Sequence, residues 1–343
     1  MDPGRVGLWT FQLDLQPAAR AREVAAELDE LGYGALWIPD AIGREPISHA
    51  AVLLGATERT VIATGVANIW HRSPHSVAAA QNLLADVSGG RFLLGLGVSH
   101  APVVEGLLGE TYLRPLDRMR SYLDAIDDAF STSPPPPEAP PRVLAALGPR
   151  MLELAATRAW GALTYFVPVE HTAMAREHLG PGPQLMVEQA VVLLTDADVA
   201  RAAARKHMDV YLGLPNYRNN LVRLGWGDDD LGGGGSDALV DALVAWGDVA
   251  ALADRVRAHH EAGADHVCLQ VLDPDVTALP MPQWRELAAA LVTPTGRTSG
   301  GRPTGRRRRK RGTGRPARDG APAGEAGDGS PGPAHAEGAD PEP

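Results

Sequence analysis

Apolar positions along this chain come in two alternating textures. Short apolar runs are bounded by Gly, Pro, Asp or Asn. Each is followed by a longer stretch in which apolar residues recur every three or four positions. The runs are VGLWTF (6–11), ALWIP (35–39), VIATGV (61–66), FLLGLG (92–97), VLAAL (143–147), ALTYFV (162–167), the stretch 185–194 and HVCLQVL (266–272). A short apolar run flanked by turn residues reads as a buried strand, and the 3.6-residue period as an amphipathic helix. Pro17 opens the first helix, Val24, Leu28 and Leu31 follow at helical spacing, and Gly32 closes it. A second helix covers 48–57. Ser73-Pro74 offers an N-cap and a first-turn proline to a third, which reaches Val87. Leu116, Met119, Leu123 and Ile126 share one face of a helix over 115–130. Gly148-Pro149 starts the next, ending near Trp160, and 171–179 follows. Asp196 or Asp198 caps a helix reaching Leu212, Asp248 caps one ending at Gly263, and the last runs over 282–291.

Eight strand-then-helix units is the count of a parallel (β/α)8 TIM barrel, an α/β fold; an open doubly wound sheet is the alternative. Residues 213–247 exceed a simple loop and include PNYRNN (215–220) and four successive glycines at 232–235. Long segments of this kind are usually lids or disordered. The expected division is a barrel over 1–292 with an insertion at about 213–247, then a Gly/Pro/Arg-rich tail over 293–343. The tail has no aromatic residue and too little apolar surface to offset its ordering entropy, so disorder is expected there.

Composition narrows the partners. The chain has 343 residues and a net charge of −10, but from Arg297 onward basic residues outnumber acidic ones ten to six, leaving −14 on the body. An acidic body argues against nucleic acid as the main ligand; only RRRRKR (306–311) can attract it, through charge alone. Cys268 is the single cysteine, which excludes an intramolecular disulfide and fits a reducing compartment. No run is long and apolar enough for a membrane helix, and the amino terminus lacks a signal-peptide pattern. A cytoplasmic protein is expected.

Candidate chemistry gathers where strands end. In RFLLGLGVSHAP (91–102), Gly95 and Gly97 interrupt an apolar run, a sign that a ligand or another backbone comes close. The run breaks into a polar turn, and in α/β folds ligands bind at the carboxyl ends of strands. The third glycine of a dinucleotide fingerprint is missing, and Ala101 rules out a nucleophile elbow. His71 and His100 are candidate proton donors or acceptors, because histidine titrates near neutrality. Trp9 and Trp70 can wall a substrate pocket. Arg218 and Arg223 can bind an anionic substrate from the insertion. No histidine, cysteine or carboxylate set has metal-ligand spacing and HExxH is absent, so no metal is expected.

These segments together resemble the luciferase-like monooxygenase superfamily, most of all its coenzyme F420-dependent oxidoreductases. The resemblance is carried by Asp40, TGVANIWHRSP (64–74), GGRFLLGLGVSHAP (89–102), RPLDRMRSYLDAI (114–126), LTYFVPVEHT (163–172) and GADHVCLQVL (263–272), and excludes the tail. It implies a parallel barrel with a deazaflavin or flavin across the carboxyl ends of its strands. It also implies a non-prolyl cis peptide at Gly65-Val66 or the next bond, and a homodimer. Cofactor contacts are implied for Asp40, Gly65, Val66, Asn68, Gly97, Val98, Ser99 and His100. Tyr165, Phe166 and Val167 would hold its phosphate, with His171 nearby. Asp40 is the family's cofactor-contacting acid and joins His71 and His100 as a catalytic candidate. The sugar-phosphate dehydrogenase branch has a histidine next; here the residue is Ala41, a departure from that branch's chemistry. The implied reaction is hydride transfer between F420 and a small organic substrate. The alternatives are an FMN-dependent monooxygenase, or a non-catalytic cofactor-binding barrel tethered to nucleic acid by its tail.

Overall fold

The computed structural model describes residues 1–41 and 43–292. Ten strands form one sheet: β1 (Val6–Trp9), β2 (Ala35–Ile38), β3 (Val61–Thr64), β4 (Ala67–Asn68), β5 (Phe92–Gly97), β6 (Arg142–Ala145), β7 (Gly161–Thr164), β8 (Gln184–Val192), β9 (Val244–Trp246) and β10 (His266–Val271). Eight of them close a parallel ring in the order β1, β2, β3, β5, β6, β7, β8, β10. β10 seals it, pairing Val6–Leu8 on one side and Met186–Val191 on the other. The TIM barrel is therefore present and the open sheet is not. β4 continues beside β5 after β3 breaks, and β9 adds to the upper end of β8.

Alternation along the strands sorts the side chains. Trp37, Ala63, Leu93, Val143, Leu163, Met186 and Cys268 fill the interior, while the opposite faces of the same strands meet the ring of helices. His266 closes the amino-terminal end, its Nδ1 against Gly4 O at 2.8 Å and its Nε2 accepting from Trp37 Nε1 at 3.1 Å. Gly7 leaves room for that ring: a Cβ there would stand 2.7 Å from it.

Helix starts follow the capping residues. Ser73 accepts from Ser76 N, Asp248 from Ala251 N, and Asp196, not Asp198, caps Ala197–Leu212. The second helix begins earlier than its apolar pattern suggests, at Pro46, because the Glu45 carboxylate takes the Ile47 and Ser48 amides.

Residues 213–247, expected as an insertion that exceeds a simple loop and reads as a lid or as disordered, are built largely of helix. They form helices Pro215–Arg223, Asp228–Leu231 and Asp237–Leu243, then β9. Tyr217, Leu221, Leu231, Leu239, Val240 and Leu243 bury against Met208, Leu212 and Phe166 in a second core over the carboxyl end of β8. The tail expected to be disordered, with its arginine run, lies outside the described residues.

Candidate active site

Because every strand of the ring runs parallel, the ends singled out in the sequence share one rim. Side-chain contacts then link them around the mouth. The peptide Gly65-Val66 is cis, at the expected position. Trp9 Nε1 donates to Gly65 O at 3.0 Å, and the Trp9 ring lies 5.3 Å from Tyr165. Gly95 and Gly97 are small because the chain after β3 presses on both, by backbone at Gly95 and by the Val66 side chain at Gly97. A Cβ on Gly95 would meet Thr64 O at 2.0 Å, and one on Gly97 would meet Val66 Cγ2 at 2.4 Å. Their absent side chains make room for the chain between β3 and β4.

Asp40 organises the loop after β4. Its Oδ2 accepts from Asn68 N at 2.8 Å and Arg72 Nη1 at 2.5 Å, with His71 Nδ1 at 3.4 Å. The Asn68 amide nitrogen lies 3.3 Å from His71 Nε2. An amide donor at Nε2 leaves Nδ1 as the protonated nitrogen, facing Asp40. The His71 side chain keeps 21% exposure while Asp40 keeps 5%, so the imidazole is within reach of a ligand and the carboxylate is spent on the loop. Trp70 Nε1 donates to Val98 O at 2.9 Å, and its ring takes the Arg118 guanidinium on its face.

Two rim residues other than glycine adopt a left-handed backbone: Ser99 (φ 59°) after β5 and Phe166 (φ 57°) after β7. Such outliers persist only where their surroundings hold them, and they gather at ligand sites. Tyr112 Oη donates to Ser99 O, and Glu188 accepts from Phe166 N at 3.1 Å. Tyr217 bridges the two turns, with its ring 5.5 Å from both His100 and Phe166. His100 Nδ1 donates to Asn216 Oδ1 at 3.1 Å, and burial lowers its pKa. Tyr165 donates to Gln270 Oε1 at 2.8 Å, so in its 2.7 Å contact with Tyr211 the second hydroxyl is the donor.

Two expected contacts are engaged with other partners. His171 is fully buried; its Nε2 donates to Leu147 O at 2.9 Å, and burial pushes its pKa down to about 4. Arg218 makes an exposed ion pair with Asp228 at 2.7 Å. Val167 is buried under its turn, leaving only backbone to offer.

In the sequence Gly148-Pro149 is a helix start and nothing more. The structure gives it a partner. Helix Pro149–Arg158 has no side-chain cap, and the Arg223 guanidinium lies about 4.0 Å from where a Gly148 Cβ would be. Asn220 Oδ1 accepts from Arg223 Nη1 at 3.0 Å, while its Nδ2 is buried without a partner among the described residues. Pro149 has no N–H, and the Met151 and Leu152 amides reach back to Gly148 O, so the first turn offers the Arg150 amide. With a guanidinium and an orphaned side-chain amide beside it, it makes a donor set that suits an anion. Nothing in a strand-and-helix pattern announces this meeting of residues 148, 220 and 223. A second cleft, of about 860 Å³, lies at the amino-terminal end and is lined by Asp29, Tyr33, Arg59, Arg257 and His260. Asp29 there is occupied by the amides of residues 58–60.

Comparison with known proteins places the fold in a family. The family model described as luciferase-like monooxygenase matches residues 3–266. A Mycobacterium tuberculosis protein, provisionally named a coenzyme F420-dependent oxidoreductase, is 31% identical over 137 residues, 40% of this chain and 40% of that relative. The match thus spans less than half of the relative's length. Among solved structures, an F420-dependent secondary alcohol dehydrogenase in complex with an F420-acetone adduct superposes with a TM-score of 0.68, at 15% identity over 84% of this chain and 98% of its own. The oxygenating constituent of 3,6-diketocamphane monooxygenase from Pseudomonas putida, in complex with FMN, gives 0.59 at 17% identity over 83% and 96%. At these identities the structural likeness is one of fold.

Proposed function

The chain belongs to the luciferase-like monooxygenase family, and within it we propose an oxidoreductase that moves a hydride between coenzyme F420 and a small organic substrate. The observation that carries this reading is the mouth itself. Two left-handed turns, an apolar aromatic wall and an anion-type donor set lie on one rim, as a planar cofactor with a charged arm requires. Gly148, Asn220 and Arg223 would hold the phosphate of that arm. The backbones at Val66, Gly97–Ser99 and Tyr165–Val167 would flank the ring system, with Trp9 and Tyr165 beneath it.

When bound, F420 supplies the hydride chemistry. The chain's own residues bind, orient and handle protons. His71 would exchange a proton with the substrate's oxygen or nitrogen, and Asp40 would fix its tautomer and direction. Trp70, held on Val98 O and capped by Arg118, would close the substrate side against water. Arg218, paired at the surface, is left outside this assignment.

FMN-dependent oxygenation is the second reading, favoured by the shared fold of the FMN-bound monooxygenase component. Titrating the full chain with F420 and with FMN separates them. Saturable binding of F420 with hydride exchange supports the first reading. Tight binding of FMN alone moves the assignment to the second. Binding of a cofactor without turnover points to the non-catalytic alternative, and binding of neither to a degenerate barrel.

A further inference from the structure

Glu188 is the buried carboxyl that the reading above does not use. It points into the barrel from β8, beside Cys268 in register on β10, and is 1% exposed. The groups that influence it are Tyr165 on the rim after β7, Tyr211 and Tyr217 from the helices over β8, and Cys268; no cation is among them. Burial without a counter-charge raises its pKa to about 8. One oxygen, Oε2, accepts the Phe166 amide at 3.1 Å, and Oε1 has no partner among the described residues.

A buried carboxyl with no cation is an expensive occupant of a barrel interior, where a leucine or methionine would fill the space at less cost. What it does here is specific. Phe166 has a left-handed backbone, which a bulky residue adopts only under constraint. Its ring packs 4.9 Å from Tyr211 and edge-on to Tyr217. Tyr217 in turn reaches His100. The Phe166 amide is therefore the point at which the barrel interior can hold the turn that joins both sides of the mouth.

We propose that Glu188 is a positioning residue: by accepting the Phe166 amide it fixes the left-handed turn after β7 and, through Tyr217, the approach of that turn to the turn after β5. The step to ligand binding rests on the reading above that these turns flank the cofactor; the step to the turn does not.

The test uses the full chain and two variants. Glu188→Gln keeps a neutral acceptor of the same shape. Glu188→Met keeps the length and removes the oxygen, and Glu188→Ala replaces it should methionine not fold. Hydrogen exchange of the peptide containing residues 165–167 is the readout independent of cofactor. E188Q should match the parent chain, and E188M should exchange about tenfold faster there with the other strands unchanged. Cofactor Kd should follow the same order, within about threefold for E188Q and weaker by about tenfold for E188M. Unchanged exchange in E188M, or faster exchange spread evenly through the barrel, overturns the proposal, as does E188Q behaving like E188M. Parent chain that binds neither F420 nor FMN defeats the functional reading while the exchange pattern still judges the clamp. Altered exchange with unaltered Kd leaves the functional reading standing and refutes the link between this turn and binding.

Discussion

His71 and Asp40 show how little of a residue's role is carried by its type. The sequence offers an acid at a strand end and a histidine thirty-one positions later. Folding brings Nδ1 and Oδ2 to 3.4 Å and gives the acid two further donors, so only the histidine is left to face a ligand. His71→Asn should lower kcat by about 10²-fold with cofactor Kd nearly unchanged, since a positioned acid or base contributes at least that much. Steady-state kinetics with a separate binding titration checks it; a matched loss in both would assign His71 to binding alone. Arg223 is the complementary case. Arg223→Ala should weaken cofactor binding by about tenfold, the worth of one charge-assisted hydrogen bond to an anion, and leave kcat at saturation near the parent value. A titration showing unaltered affinity would remove the anion site from the 148–223 contact.

At the level of elements, β3 and β5 are made for each other. β3 stops at Thr64, the chain passes Gly65-Val66, and β4 resumes beside Leu96 and Gly97. That detour needs β5 to be bare at two positions. Gly95→Ala would set a methyl 2.0 Å from Thr64 O, against backbone that cannot swing aside. A loss of about 1–3 kcal/mol in unfolding free energy is expected, as for other overpacked interiors. Chemical denaturation measures it; Gly90→Ala, with open space around its Cβ but φ of +83°, tells steric crowding from the cost of a left-handed alanine. The helices over residues 215–243 carry a second lesson. Their apolar residues read as fragments because none has a long period of its own. They become legible only against Met208, Leu212 and Phe166, which lie on other elements.

For the whole molecule, buried titratable groups set the pH range of stability. Burial pushes His171, His207 and His266 down to about 4 and His259 to about 3. The unfolded chain protonates them near 6.5, so as pH falls below that value it gains protons the native state refuses. Each histidine then removes about 1.4 kcal/mol per pH unit until its native pKa is reached. Glu188 acts in the other direction: native protein keeps its proton up to about 8 while unfolded chain loses it near 4.5, so its contribution is lost as pH rises between those values. Four histidines outweigh one carboxyl on the acid side. Tm should climb from pH 4.5 to about 6.5 and decline toward 8, and Glu188→Gln should remove the alkaline decline; calorimetry across that range checks both.

The sequence by itself determined the eight strand-and-helix units and the polar turns that end them, because period, caps and small residues act over a few neighbours in the chain; the break near Gly65 came only with the family resemblance. The family followed from those same local segments taken in order. Which turns touch was decided by closure of the ring, which converts separations of tens to hundreds of residues into contacts of 3 Å. The tie between Glu188 and Phe166, the approach of Arg223 to Gly148 and the seclusion of His171 exist only after that closure. Burial and hydrogen-bond partners are properties of packed space, and a linear pattern carries no record of which strand ends will face one another across a barrel.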